Sequence, residues 1–159
     1  MKDLSLHILD IAHNSIRAKA KCIHLKIKFD MLEDRLSISI IDDGCGMDPE
    51  QVKEITNPFF TTRSTRKVGL GIPLIKQRAD ECNGSFTMES ELGKGTQLFL
   101  EFQSSHIDLP ELGDLAGVIS GLCCSYPEIQ FVFDYQQQDI EMKFNILLLI
   151  IKNKLDLRI

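Results

Sequence analysis

The sequence predicts an α/β domain. Residues 22–29 and 36–40 alternate apolar and polar with a period of two, as half-exposed strands do. Residues 4–18 and 70–82 repeat apolar positions at helical spacing. A second alternating pair, Ser85 to Ser90 and Gln97 to Phe102, flanks Gly93-Lys94-Gly95, the chemistry of a hairpin turn. A chain of 159 residues with 43% apolar content fits one domain, or one domain with a small appendage.

The first helix runs from Leu4 to about Ala18, with Leu6, Leu9, Ile16 and Ile8 as its expected apolar face. Asp10, His13, Asn14 and Arg17 follow at spacings of three and four, so they share a polar face. A solvated face is the plain explanation. The sharper one notes that the Asn14 carbonyl is a hard ligand suited to magnesium, and that Asp10 is one turn away, able to orient a water or hydroxyl.

Ile23, Leu25, Ile27 and Phe29 form the apolar side of the first strand, with His24, Lys26 and Lys28 opposite. Asp30 to Asp34 carries turn chemistry, and the strand 36–40 returns antiparallel to the first. That strand runs into Asp42-Asp43-Gly44-Cys45-Gly46-Met47. A carboxylate at a strand end can accept from an exocyclic amine, while glycines keep the backbone thin enough for a flat ring. A calcium loop is the competing reading, and it lacks the glutamate that would close it. A plain turn is the third.

Asp48 caps a short helix to about Thr56, with Pro49 in its first turn. Then comes the most informative stretch, Asn57 to Lys76. Phe59 and Phe60 precede the hydroxyls and cations of Thr61, Thr62, Arg63, Ser64, Thr65, Arg66 and Lys67, and Gly69-Leu70-Gly71 opens a helix. Free N–H groups and the positive end of a helix dipole favour anions, so a polyphosphate is the natural guest. An ordinary loop feeding an ordinary helix stays open as the alternative. That helix stops at Asn83-Gly84, with Pro73 harmless in its first turn.

Beyond Gln103 the character changes. Ser104 to His106 reads as a link, Glu111 to about Cys124 as a helix, and Ile129 to Tyr135 with Ile140 to Phe144 as a strand pair. The end, ILLLIIKNKLDLRI, has no clear period. The net charge of −5 argues against nucleic acid as the main partner. The longest apolar run, Ile146 to Ile151, is far short of the roughly 20 residues a membrane helix needs, and the first residues do not resemble a signal peptide. Cys22, Cys45, Cys82, Cys123 and Cys124 are odd in number and form no CxxC pair, so reduced thiols and a cytoplasmic location are expected. The pair Cys123-Cys124 reads as small apolar residues at a helix end rather than a redox or soft-metal site.

Four motifs in order give the chain a family resemblance. DIAHNSIRA resembles the asparagine box of the nucleotide-binding domain shared by sensor histidine kinases, type II topoisomerases, MutL-type mismatch-repair proteins and heat-shock chaperone ATPases. DDGCGM resembles its first glycine box, PFFTTR its phenylalanine box, and VGLGIPLIK with ELGKGT its later glycine boxes. The match covers roughly residues 4–103. It implies a two-layer α/β sandwich, a mixed and mostly antiparallel sheet with helices on one face. It divides the chain into an ATP-binding domain over 1–103 and an α/β appendage over 104–159 that would contact a partner or a second copy.

The resemblance also implies roles. Asn14 would hold magnesium between the phosphates, and Asp42 would read the adenine amine, with Gly44, Gly46 and Met47 lining the base. Thr96 would sit at the back of that pocket. Thr61, Thr62, Arg63 and Lys67 would belong to a lid, and Gly69, Leu70 and Gly71 would offer backbone amides. Two departures stand out. Lys67-Val68 occupies the place where the second glycine box usually begins with another glycine, and the lid is short. Asp10 stands where the topoisomerase and mismatch-repair branch keeps a glutamate general base and the kinase branch an asparagine.

LHILD, NPFFTTR and RKVGLGIPLIKQ also resemble small stand-alone ATPase-like proteins of anaerobic bacteria encoded beside iron-hydrogenase subunits. The expected function is binding of Mg-ATP and phosphoryl transfer to a partner protein, since His7 and His13 on the first helix are poor acceptors. The serine-directed anti-sigma-factor kinases are a precedent. An ATP-dependent switch or slow ATPase, and a non-catalytic nucleotide-binding subunit, are the alternatives.

Overall fold

The elements follow in chain order as helix Leu4–Arg17 (α1), strands Cys22–Asp30 (β1) and Arg35–Asp42 (β2), and helices Pro49–Thr56 (α2) and Gly71–Glu81 (α3). Strands Ser85–Glu91 (β3) and Gly95–Gln103 (β4), helix Leu115–Ser125 (α4), and strands Gln130–Gln137 (β5) and Ile140–Asn145 (β6) complete them. The computed structural model describes residues 3–57, 70–138 and 140–145. Its strands form one sheet in the order β3-β4-β2-β1-β5-β6. All neighbours are antiparallel except β1 and β5, which run parallel, so the sheet is mixed and mostly antiparallel as expected.

Register turns the alternating sequence into one buried face. Ile27 pairs with Ile38 and Leu25 with Ile40, while Ile38 pairs with Leu100 and Leu36 with Phe102. These residues are buried, whereas Lys26, Lys28, Gln97 and Phe99 on the opposite face are exposed. Helices cover only the buried face. Ile8 and Ile11 of α1, Ile72 and Ile75 of α3, and Leu115 and Leu122 of α4 meet the strands in one core cluster. Each such side chain contributes about 1.5–3 kcal/mol by leaving water.

The caps follow the sequence reading, with one exception. Asp48 accepts from Glu50 N and Gln51 N, and the Gln51 side chain accepts from Asp48 N, a complete capping box. Asn83 takes φ +52 at the end of α3, where Gly84 N bonds Ala79 O at 2.8 Å. The exception is α4, expected from Glu111 but starting at Leu115. Gly113 takes φ +75 and Asp114 caps the helix by accepting from Gly117 N at 2.9 Å. Residues 111 and 112 cap α1 instead, because Leu4 N and Ser5 N each donate to their carbonyls at 2.9 Å.

The buried face of α1 also differs from the expectation. Leu6 is 39% exposed, while Ser5, His7 and Ser15 are buried beside Leu4, Ile8, Ile11 and Ala12. The helix touches β2, α3 and α4, so it is enclosed on more than its apolar stripe. Polar side chains enter the interior wherever a neighbour can hold them.

Asp34 joins the ends of this frame. At φ +53 in the β1–β2 turn, it accepts from Ser105 Oγ at 2.6 Å, Ser104 Oγ at 2.7 Å, Ser105 N at 2.8 Å and Gln103 Nε2 at 2.9 Å. The hydroxyls of Ser105 and Ser104, then the Gln103 amide, hold its carboxyl well below the usual carboxylate range. The link after β4 is thereby tied to the opposite hairpin.

Candidate functional site

β2 ends with an inward-facing carboxylate. Asp42 is 8% exposed, and a charge so placed needs donors. Ser15 Oγ donates to Oδ2 at 2.6 Å and Gly44 N donates to Oδ1 at 2.9 Å. Ser15 was not singled out from sequence. It continues the Ile8–Ile11 row of α1 as a polar member, and its value comes from a partner 27 residues away.

The turn after Asp42 is held entirely by backbone and short side chains. Asp43 Oδ1 accepts from Lys21 N at 2.7 Å and Cys22 N at 2.9 Å. Cys45 N bonds Ala18 O, and Gly93 N bonds Cys45 O, each at 2.8 Å. Gly46 takes φ +66, and a Cβ there would strike the Glu91 carbonyl. Gly95 takes φ +100, and its Cβ would strike the Asp42 carbonyl. Both positions require glycine for conformation and for space. The end of α1, the turn and the β3–β4 hairpin therefore meet as a thin wall.

Thr96 pairs with Asp42 across the sheet. Its hydroxyl lies 2.9 Å from Ser90 Oγ, which also accepts from Met47 N at 2.8 Å and donates to Gly95 O at 3.0 Å. Ser90 has one proton, so the Thr96 hydroxyl is the donor of that pair. Ser90 is the second residue that sequence reasoning missed; only the register of the hairpin reveals it.

The other end of the site is built along α1. His7, Asp10 and Asn14 stand at spacings of three and four, on one row of the helix. Asn14 is half-buried, and its Oδ1 accepts from Arg17 Nη1 at 2.9 Å. His13, grouped with them from sequence, turns toward α4, where its ring stands 6.4 Å from that of Tyr126. Asp10 faces α3. Its Oδ2 is buried without a hydrogen-bond partner among the described residues, and it lies where a Cβ on Gly71 would have to be.

Leu70, 65% exposed, occupies the cap position of α3 without a side-chain hydrogen bond to the helix. Leu74 N bonds Leu70 O, and the amides of Gly71 and Ile72 at the start have no capping side chain among the described residues. Thus Asp42, Gly44, Gly46, Met47 and Thr96 come together at the end of β2. Asp10 and Gly71 come together at the start of α3, and Asn14 stands between on α1. Asp10 and Ser15 are separated by about 7.5 Å of helix axis. Phe59, Phe60, Thr61, Thr62, Arg63, Lys67 and Gly69 lie outside the described residues.

Comparison with known proteins bears on the family and the fold. Residues 2–106 match the family model "Histidine kinase-, DNA gyrase B-, and HSP90-like ATPase". The protein is therefore a member of the histidine kinase-, DNA gyrase B- and HSP90-like ATPase family. It is 32% identical over 93 residues to the sensor protein DegM of Bacillus sp. (strain B21-2), covering 58% of this chain and 25% of that protein. It is 34% identical over 88 residues to sporulation kinase C of Bacillus subtilis (strain 168), covering 55% of this chain and 20% of the kinase. The match thus spans a quarter or less of these two relatives. The Aquifex aeolicus MutL ATPase domain, solved with ADP, shares the fold at a TM-score of 0.61 and 13% identity, over 91% of this chain and 64% of that one. Among the described residues no helix is long and apolar enough to cross a membrane.

Proposed function

We propose that the chain binds Mg-ATP in the manner of a histidine-kinase catalytic domain and passes the terminal phosphoryl group to a partner protein. The supporting observation is the alignment along α1. One end of that helix holds the buried Asp42 carboxylate through Ser15, and the Asp10 row faces the start of α3, which has no side-chain cap among the described residues. A purine amine at one end and phosphates at the other would match these groups in chemistry.

On this reading Asp42 accepts from the adenine amine, beside Gly44, Gly46 and Met47, with Thr96 behind. Gly69, Leu70 and Gly71 offer amides to the phosphates, and Thr61, Thr62, Arg63 and Lys67 close over them. No cluster of three or more His, Cys, Asp or Glu able to hold a metal exists among the described residues. That fits magnesium, which takes most of its ligands from phosphates and water and needs few from protein. Asn14 would give one amide oxygen, releasing its exposed bond to Arg17. A bound ion would neutralise charge on the phosphates.

Asp10 orients the attacking group: a partner's nucleophile in transfer, a water in slow hydrolysis. Slow hydrolysis coupled to an ATP-driven switch is the second reading. The segment after Gln103 is the surface that a partner would read, since it is tied to the β1–β2 turn through Asp34. Incubation with γ-labelled ATP and magnesium tests these readings. Label on a co-purified protein supports transfer and released phosphate supports hydrolysis. Failure of an ATP analogue to bind in a calorimetric titration would remove the nucleotide reading itself.

A further inference from the structure

Register lines up three polar residues on neighbouring strands. Asp42 of β2 pairs with Thr96 of β4, and Thr96 pairs with Ser90 of β3. The alternation of strands puts all three on the helix-covered face, where the next row inward is apolar: Ile40 pairs with Leu98, and Leu98 with Met88. Ser90 is the saturated member of the polar row. A hydroxyl gives one hydrogen bond and takes two. Ser90 Oγ takes one from Met47 N at 2.8 Å, gives one to Gly95 O at 3.0 Å, and lies 2.9 Å from Thr96 Oγ1. Met47 N can only donate and Gly95 O can only accept, so one lone pair is left for Thr96. The single Thr96 proton is spent on it.

We propose that Ser90 is a specificity-determining residue: it holds the Thr96 proton, so that Thr96 meets a ligand as an acceptor only. Asp42 beside it is an acceptor too, already taking bonds from Ser15 and Gly44. Together they present two acceptors and no donor. An amino group with two N–H bonds fits that pair. A carbonyl oxygen in the same place sets lone pairs against lone pairs. The inference rests on the adenine site proposed above, and it adds a reason for taking a 6-amino purine and refusing a 6-oxo purine. Ser90 acts through Thr96. It also fixes the amide of Met47, so its loss weakens binding in general, and the discrimination between two bases is what isolates its effect on Thr96.

The test titrates the full chain calorimetrically with ATP and with ITP, in which an oxygen replaces the 6-amino group. The unaltered protein is expected to prefer ATP by about tenfold or more. Ser90→Ala is expected to cut that preference by about threefold or more, because the freed Thr96 hydroxyl can turn and donate to a carbonyl. Ser90→Thr, which keeps the hydroxyl, is expected to restore it. In a Thr96→Val background Ser90→Ala is expected to leave the ratio where it stands. A merely structural role would weaken both nucleotides alike, so an unmoved ratio in Ser90→Ala overturns the proposal, as does equal affinity in the unaltered protein. Neutron diffraction from unaltered crystals in deuterated water needs neither variant nor nucleotide. The Thr96 deuteron is expected on the line to Ser90 Oγ, and one directed elsewhere overturns the proposal. If no nucleotide binds, the adenine reading fails, and the neutron map still decides whether Ser90 holds the Thr96 proton.

Discussion

The Asp10 carboxylate sits against the Gly71 Cα, so that Oδ2 of the first stands where any side chain on the second would begin. An added Cβ would also come within 2.8 Å of Asp10 Cγ and 3.3 Å of its Cβ. The second glycine of the Gly-Leu-Gly run is thus fitted to a particular acid on α1, as well as to a helix start.

Gly71→Ala should displace Asp10 and lower ATP turnover by tenfold or more, about 1.4 kcal/mol of barrier. In an Asp10→Ala background the same change should cost much less, since the displaced group is gone. A double-mutant cycle on turnover measures this coupling, and simple additivity would sink it.

Asp42→Asn should weaken ATP binding at least tenfold. The amide cannot accept through both of its terminal atoms, whereas the carboxylate accepts from Ser15 and Gly44 with lone pairs to spare. Ser15→Ala strips one donor from a buried charge and should destabilise the fold by about 1–3 kcal/mol. Calorimetric titration and urea melts separate the two effects.

Gly46→Ala meets both a positive φ and the Glu91 carbonyl, so it should push the β3–β4 hairpin away from the turn after Asp42. Loss of ATP affinity without loss of the remaining sheet is the expected result. Amide exchange localised to residues 43–47 and 90–96 would show it.

Asp34 gives the stability curve an acid limb. Its folded carboxyl sits below the ordinary 3.8, so the unfolded chain takes up the proton first as pH falls. The stabilisation is therefore fully present above pH 3.8 and is lost as pH drops toward and through the lowered folded value. Urea melts of the unaltered protein and Asp34→Ala should differ at pH 7, and the gap should narrow steadily as the pH falls below 3.8; a gap as wide at pH 2 as at pH 7 would contradict this.

Much of the frame was legible because it depends on neighbours in sequence. Ile23, Leu25 and Ile27 announce a strand face without help, and Asp48 with Gln51 announces a helix start. The Asp10–Asn14 row was legible for the same reason, as was the α/β class. Ser15 and Ser90 were not, because their value lies in partners 27 and 6 residues away, Asp42 and Thr96. Nor was the enclosure of α1. Hydrophobic patterning assigns one apolar face, and so it took Leu6 for core and did not count His7 among the buried residues. Gly113 delayed the start of the expected helix 111–124, because its φ of +75 is favourable for a turn and not for a helix.

The parallel pairing of β1 with β5 has a practical edge. Ile23 lies opposite Phe131 and Leu25 opposite Phe133, so β1 is an interior strand whose amides and carbonyls are occupied on both sides. Truncating the chain after Gln103 would strip one side of β1 and leave a bare apolar ledge next to Asp42. Such a fragment invites strand-to-strand stacking between molecules. A shortened version made to isolate the family-matching portion should precipitate, unless something else is supplied to lie along that ledge.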